Sequence, residues 1–120
     1  MDLRLKSVPY ELDGKTYQLR CNMAVLMDVQ EAFDGDLTQA LSRAHSMRGL
    51  LEFLAAMLND YADEQGWTER WTARQLGRRC TWMDRTGLMD TIADLIHASL
   101  QADTAEPDAD QEKNGETSQS

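Results

Sequence analysis

The first twenty residues alternate between apolar and polar with the two-residue period of a strand. Val8, Tyr10 and Leu12 point one way, and Tyr17, Leu19 and Cys21 resume the rhythm after Asp13-Gly14. Asp-Gly between two alternating runs is the strongest short-range hairpin signal, because both central residues of the favoured two-residue turn need a positive φ. A turn there pairs Leu12 with Lys15, Tyr10 with Tyr17 and Val8 with Leu19. All these apolar residues then fall on one face, an independent check on the register. Pro9 has no N–H to give a ladder, so either this strand is an edge or Pro9 faces away from the ladder. Leu3 and Leu5 have the opposite parity, which predicts a bulge or kink near Ser7 within a hairpin over about 3–21. A lone hairpin is marginal in water, so its apolar face must lie on something else.

From Asn22 the period becomes helical. Asn22 is a good N-cap, and Met23, Leu26, Met27 and Gln30 follow at helical spacing until Asp34-Gly35 stops the run. Asp36, with Gln39 at the capping-box position, starts a short helix whose face is Leu37, Ala40, Leu41 and Ala44. Ser46 opens the longest helix, on a stripe of Leu50, Phe53, Leu54, Met57, Leu58 and Tyr61, with Gly66 closing it. Thr72 with Gln75 begins another short helix through Arg79. Thr81 with Asp84 begins the last, with Leu88, Met89, Ile92, Leu95, Ile96 and Ser99 on one face. A hairpin followed by four to five helices is α+β, predominantly α-helical.

After Leu100 the pattern ends, since residues 101–120 contain no Val, Ile, Leu, Met, Phe, Trp or Tyr. A segment without apolar surface to bury cannot offset its ordering entropy, so the expectation is a single domain over 1–100 and a disordered acidic tail over 101–120. That division changes what the charge means. The chain has 120 residues, 12 Lys+Arg and 21 Asp+Glu, for a net charge of −9. Five of those negative charges belong to the last twenty residues, and the first hundred carry a net −4. A negative balance argues against a domain that grips nucleic acid through phosphates. The most apolar window, from Leu50 to Leu58, is interrupted by Glu52 and is too short for a membrane span. No apolar run follows Met1, and Cys21 and Cys80 form no CxxC unit, so two buried thiols in a reducing cytoplasm are expected.

Candidate chemistry is sparse. His45 and His97 have no spacing that ties them to either cysteine as a nucleophile's base. Asp90, Asp94 and His97 share a helical face, but the second acid-x-x-His of a di-metal site is missing, and a solvated face explains them. No glycine-rich phosphate loop occurs, so catalytic residues, metals and cofactors are not expected. One basic window stands out between Thr68 and Arg85. Arg70, Arg74 and Arg78 recur every four residues beside Arg79, and Thr72 to Leu95 has the length of a helix-turn-helix. A small DNA-binding or regulatory protein using the Arg70–Arg79 face is therefore the alternative reading. Adaptable apolar residues are also plentiful. Seven methionines include Met27, Met47, Met57, Met83 and Met89 in helical segments, and Trp67 and Trp71 flank a helix boundary with Trp82 beyond. Most such residues serve a core, but those that reach the surface suit a partner whose details vary. The candidate partner-binding residues are Trp67, Trp71, Trp82, Met57, Met83, Met89, Arg70, Arg74 and Arg78.

The run Tyr10-Glu11-Leu12-Asp13-Gly14-Lys15-Thr16-Tyr17-Gln18-Leu19-Arg20, then Asn22-Met23-Ala24-Val25-Leu26 and Glu31-Ala32-Phe33-Asp34-Gly35, resembles the start of small phage tail assembly chaperones. These belong to long-tailed phages, prophages and gene transfer agents. The middle helical block and the turn Thr72-Ala73-Arg74-Gln75-Leu76-Gly77 extend the resemblance over about residues 8–100. Cys21-Asn22 departs from the aromatic and Asp common there, although Asn caps a helix as well as Asp does. The resemblance implies a non-enzymatic factor in the bacterial host cytoplasm. Such a factor coats the helical tape measure protein, keeps it soluble, helps recruit tail tube subunits and leaves before the tail is finished. Members of the family often make a second, longer product by ribosomal frameshifting. The charge balance and the absence of a long apolar run argue against nucleic acid and membrane as partners, and self-association stays open.

Overall fold

Two antiparallel strands, β1 (Val8–Leu12) and β2 (Lys15–Leu19), lead into five helices in the computed structural model, which describes residues 6–104 and their side chains except at 82, 83 and 101–104. The helices are α1 (Met23–Ala32), α2 (Leu37–Ser42), α3 (Met47–Gln65), α4 (Ala73–Arg79) and α5 (Trp82–Thr104). The fold is thus α+β and mostly helical. The strand register pairs Val8 with Leu19, Tyr10 with Tyr17 and Leu12 with Lys15, as the alternation predicts. Asp13 and Gly14 both hold positive φ, 54° and 77°, the demand that a two-residue hairpin turn makes of its central residues. Pro9 sits in an edge strand, exposed. Leu3 and Leu5, on which the expected kink rests, lie outside the described residues.

The helix starts follow from short-range capping. Asn22, Asp36, Ser46 and Thr72 each accept the backbone N–H three residues on, and Thr72 and Gln75 form the full reciprocal box. Asp84 accepts the N–H of Thr81 at 2.8 Å at the head of α5. Each cap satisfies one of the donors a helix start leaves unpaired, worth about 1 kcal/mol. Gly49, one turn into α3, has a different reason to be glycine: an added Cβ would fall on the backbone carbonyl of Arg43. The α2–α3 corner closes too tightly for any side chain there.

α3 is the central element. Leu50, Phe53, Leu54, Met57 and Leu58 are all 1% exposed or less, and Tyr17 and Leu19 of the hairpin lie against this core at 0%. Tyr17, Tyr61 and Trp67 meet edge to face with ring centroids 5.4–6.1 Å apart. From α5 the core receives Leu88, Ile92, Leu95 and Ile96, while Ser99 is buried beside Cys21.

The structure settles which side of α1 packs, and two expectations change. Of Met23, Leu26, Met27 and Gln30 only Leu26 is buried, with Val25, Val29 and Phe33, and Met23 and Met27 turn outward at 60% and 59% exposure. The Val25–Val29–Phe33 stripe stays apolar to the end of the helix, whereas Met23 and Met27 lead into Gln30 and Glu31. Cys21 is buried, but Cys80 is only half-buried, at the end of α4. Finally, α5 continues four residues past Leu100 into the segment expected to be disordered, because Gln101 and Ala102 propagate a helix at little cost. The rest of that segment, 105–120, lies outside the described residues.

Candidate partner-binding groove

Beside its most deeply buried stripe α3 has a second one, whose apolar members Leu51, Ala55 and Ala56 are core residues 5–7% exposed and whose polar members are Arg48, Glu52 and Asn59. Arg48, Leu51, Glu52, Ala55, Ala56 and Asn59 line a groove of about 1140 Å³. Met27, Asp28 and Glu31 of α1 form one wall, and Arg74, Gly77 and Arg78 of α4 form the other. Alanines on the floor and a glycine in one wall leave the space open, because none has a side chain long enough to fill it. The stripe from Arg48 to Asn59 covers three turns, about 16 Å at the helical rise.

Two polar anchors set the walls. Asn59 brackets the backbone of Trp71, donating to its carbonyl at 2.9 Å and accepting its N–H at 2.8 Å. Six residues on, Gly77 approaches Leu51, to which an added Cβ would stand 3.5 Å away. α4 therefore runs antiparallel to α3. At the other wall Asn22, the cap of α1, donates to Asp60 near the C-terminal end of α3 at 2.8 Å.

Charges outside the groove largely neutralise each other. Lys15 pairs with Glu69, Arg20 with Asp60 and Glu64, Arg70 with Asp63 and Arg79 with Asp13. Inside it, Arg48 and Glu52 pair across one turn at 2.9 Å. Asp28 and Glu31 on one wall, and Arg74 and Arg78 on the other, have no ion-pair partner among the described residues. The Asp28 carboxyl is held above its ordinary pKa, first by burial and then by Asp60, Asp63 and Glu31, so this wall lies in a negative field. The groove thus has an acidic side, a basic side and a nearly neutral floor.

The sequence-predicted residues divide between fold and surface. Met57 is 1% exposed and belongs to the core, because the α3 stripe that contains it faces the hairpin and α5. It is unavailable to a partner. Met89 is half-buried against the core, as is Trp67, whose ring also carries Lys15 at 4.6 Å. Trp71 closes one end of the groove, its indole N–H donating to the Tyr17 hydroxyl at 3.2 Å and Arg79 lying 5.4 Å over its ring. The side chains of Trp82 and Met83 lie outside those described. The expected single basic face is two sets. Arg70 precedes α4 and turns back to Asp63 and to the carbonyls of Trp67 and Glu69, while Arg74 and Arg78 face the groove. α5, which would be the reading helix of a helix-turn-helix, exposes Asp84, Asp90 and Asp94, the wrong sign for phosphate. Met27 belongs to the methionine set expected to reach the surface in part, but neither it nor Met23 is among the sequence-predicted partner-binding residues, and the apolar continuation Val25–Val29–Phe33 is the signal that points them outward.

A second cleft, of about 370 Å³, lies between the hairpin, α4 and α5, with Tyr10, Cys80 and Asp84 in its lining. Burial, then Asp84, raises the Cys80 thiol, and burial raises Cys21 to about 11. A nucleophilic cysteine needs the opposite shift. Among the described residues no cluster of His, Cys, Asp and Glu is placed to hold a metal ion, and no helix is long and apolar enough to cross a membrane. No protein-family model matches the chain, and neither do curated proteins or solved structures.

Proposed function

We propose that this chain is a tail assembly chaperone of the long-tailed phage or prophage type, acting in the bacterial host cytoplasm. It binds the tape measure protein by taking a helix of that client into the groove between α1 and α4, keeps it soluble, and aids recruitment of tail tube subunits. The observation that carries this reading is the groove itself: three turns long, with Ala55 and Ala56 at the middle of its floor, and bordered by the exposed thioether of Met27. Those are the features that helix-in-groove recognition of a varied apolar surface requires. The resemblance of residues 8–100 to that family supplies the identity of the client. The motif residues that carry it occupy structural posts: Asp13-Gly14 the hairpin turn, Asn22 the α1 cap and Thr72 the α4 cap. Co-expression with the tape measure protein encoded beside it is the direct test. A soluble complex that co-purifies is expected, and an insoluble client with no complex would overturn the reading.

A further inference from the structure

We infer that the groove takes an amphipathic helix edged with basic residues on one side of its apolar stripe and acidic residues on the other, and that this order fixes the helix's direction. The inference rests on the groove being a client site and names the chemistry of what it holds. Arg74 and Arg78 stand one turn apart on α4, exposed and without an ion-pair partner among the described residues. Asp28 and Glu31 stand on α1 in the same condition, at three-residue spacing along one helical edge. A helix seated over Leu51, Ala55 and Ala56 brings one of its edges to each wall. Acidic residues on the α4 side and basic residues on the α1 side satisfy both walls. A helix with two acidic edges satisfies Arg74 and Arg78 but meets Asp28 and Glu31 with like charge, and two basic edges fail at the other wall. Turning a mixed-edge helix end for end exchanges its edges over the groove, so only one direction matches. The paired Arg48 and Glu52 on the floor do not blur that choice.

Three synthetic helical peptides test this on the full chain by fluorescence anisotropy: one Ala/Leu stripe with Glu and Lys edges, with two Glu edges, or with two Lys edges. The mixed peptide is expected to bind roughly three- to thirtyfold more tightly than either single-sign peptide, the range for a few exposed pairs. In Arg74→Glu/Arg78→Glu the two-Lys peptide becomes the best ligand, and in Asp28→Lys/Glu31→Lys the two-Glu peptide does. Having two variants guards against misfolding of one, and far-UV circular dichroism checks both. A photo-crosslinker on the mixed peptide's N-terminus marks one end of the groove, and the same peptide with its edges exchanged marks the other. Equal affinities, an unmoved preference in folded variants, or crosslinks at the same end would overturn the charge rule but leave the groove as a client site. Absence of peptide binding, or crosslinks showing a second copy or duplex DNA in the groove, would overturn both. Correct peptide selectivity with failed tape measure rescue would remove only the tail-assembly reading.

Discussion

Asn59 holds the backbone of Trp71 by both its polar groups, using one side-chain amide to satisfy a carbonyl and an N–H twelve residues away. This clamp, with the capping box behind it, is what stands α4 up as a wall of the groove. Asn59→Ala leaves both part-buried backbone groups without their partner, at about 0.5–1.5 kcal/mol each. Urea denaturation should show a loss of roughly 1–3 kcal/mol. Asn59→Asp keeps the acceptor for the Trp71 N–H but sets a carboxylate oxygen against the Trp71 carbonyl, beside Asp60, so it should be destabilising as well.

Three glycines in helices give three different answers to alanine. Ordinarily the exchange stabilises a helix interior by about 0.5–1 kcal/mol. Gly87→Ala, with nothing near its added Cβ, should show that gain in thermal melts. Gly77→Ala meets Leu51 at an ordinary 3.5 Å and should be as stable as the parent or more so, yet it narrows the groove and should weaken client capture. Gly49→Ala drives a methyl into the Arg43 carbonyl and must displace backbone, so its melting temperature should fall. A melt in which Gly49→Ala equals Gly87→Ala would contradict the tight α2–α3 corner.

Burial of Cys21 makes the fold sensitive to alkali. Its thiol titrates near 9.0 when solvated and is pushed up to about 11 in the core, where Ser99 opposes the shift only in part. The folded chain keeps the proton that the unfolded chain releases. Stability from this site is therefore full below about pH 9 and lost as the pH rises from about 9 to about 11, by roughly 3 kcal/mol at most. Tyr10 and Cys80, also raised mainly by burial, add to the loss. Urea midpoints from pH 7 to 11 should decline over that range, and Cys21→Ala should flatten much of the decline.

What the sequence made legible was local. Asp13-Gly14 determines its own turn and thereby the register, and Asn22, Asp36, Ser46 and Thr72 cap helices through a contact three residues away, so each could be read from a short window. The rotation of α1 was harder to read. Met23–Met27 and Val25–Val29 are both apolar at helical spacing, and only the continuation to Phe33, against Gln30 and Glu31 after the methionines, marks the stripe that packs inward. The arginines could not be divided. Arg70 and Arg79 find Asp63 and Asp13, seven and 66 residues distant, and without those partners the four arginines look like one face. The groove was hidden because it consists of what is missing, side chains beyond Cβ at Ala55, Ala56 and Gly77, along a stripe with no periodic apolar signal of its own.

Methionine position, not methionine number, should decide which of these residues matters for a client. Met57 is enclosed on all sides in the core, so Met57→Ala should cost about 2–5 kcal/mol and lower the melting temperature of the free chain. Met27 stands at the rim of the groove with 59% of its surface exposed, and Met23 lies one turn before it. Changes there touch little of the folded chain, so Met27→Gln should leave the unfolding free energy within about 0.5 kcal/mol of the parent. The same change removes a flexible apolar contact from the client's side and should reduce the soluble tape measure protein recovered on co-expression. Met23→Gln, outside the groove lining, should reduce it less. Equal recovery with Met27→Gln and the parent chain would show that the client does not use this rim, whatever the stability of the variant.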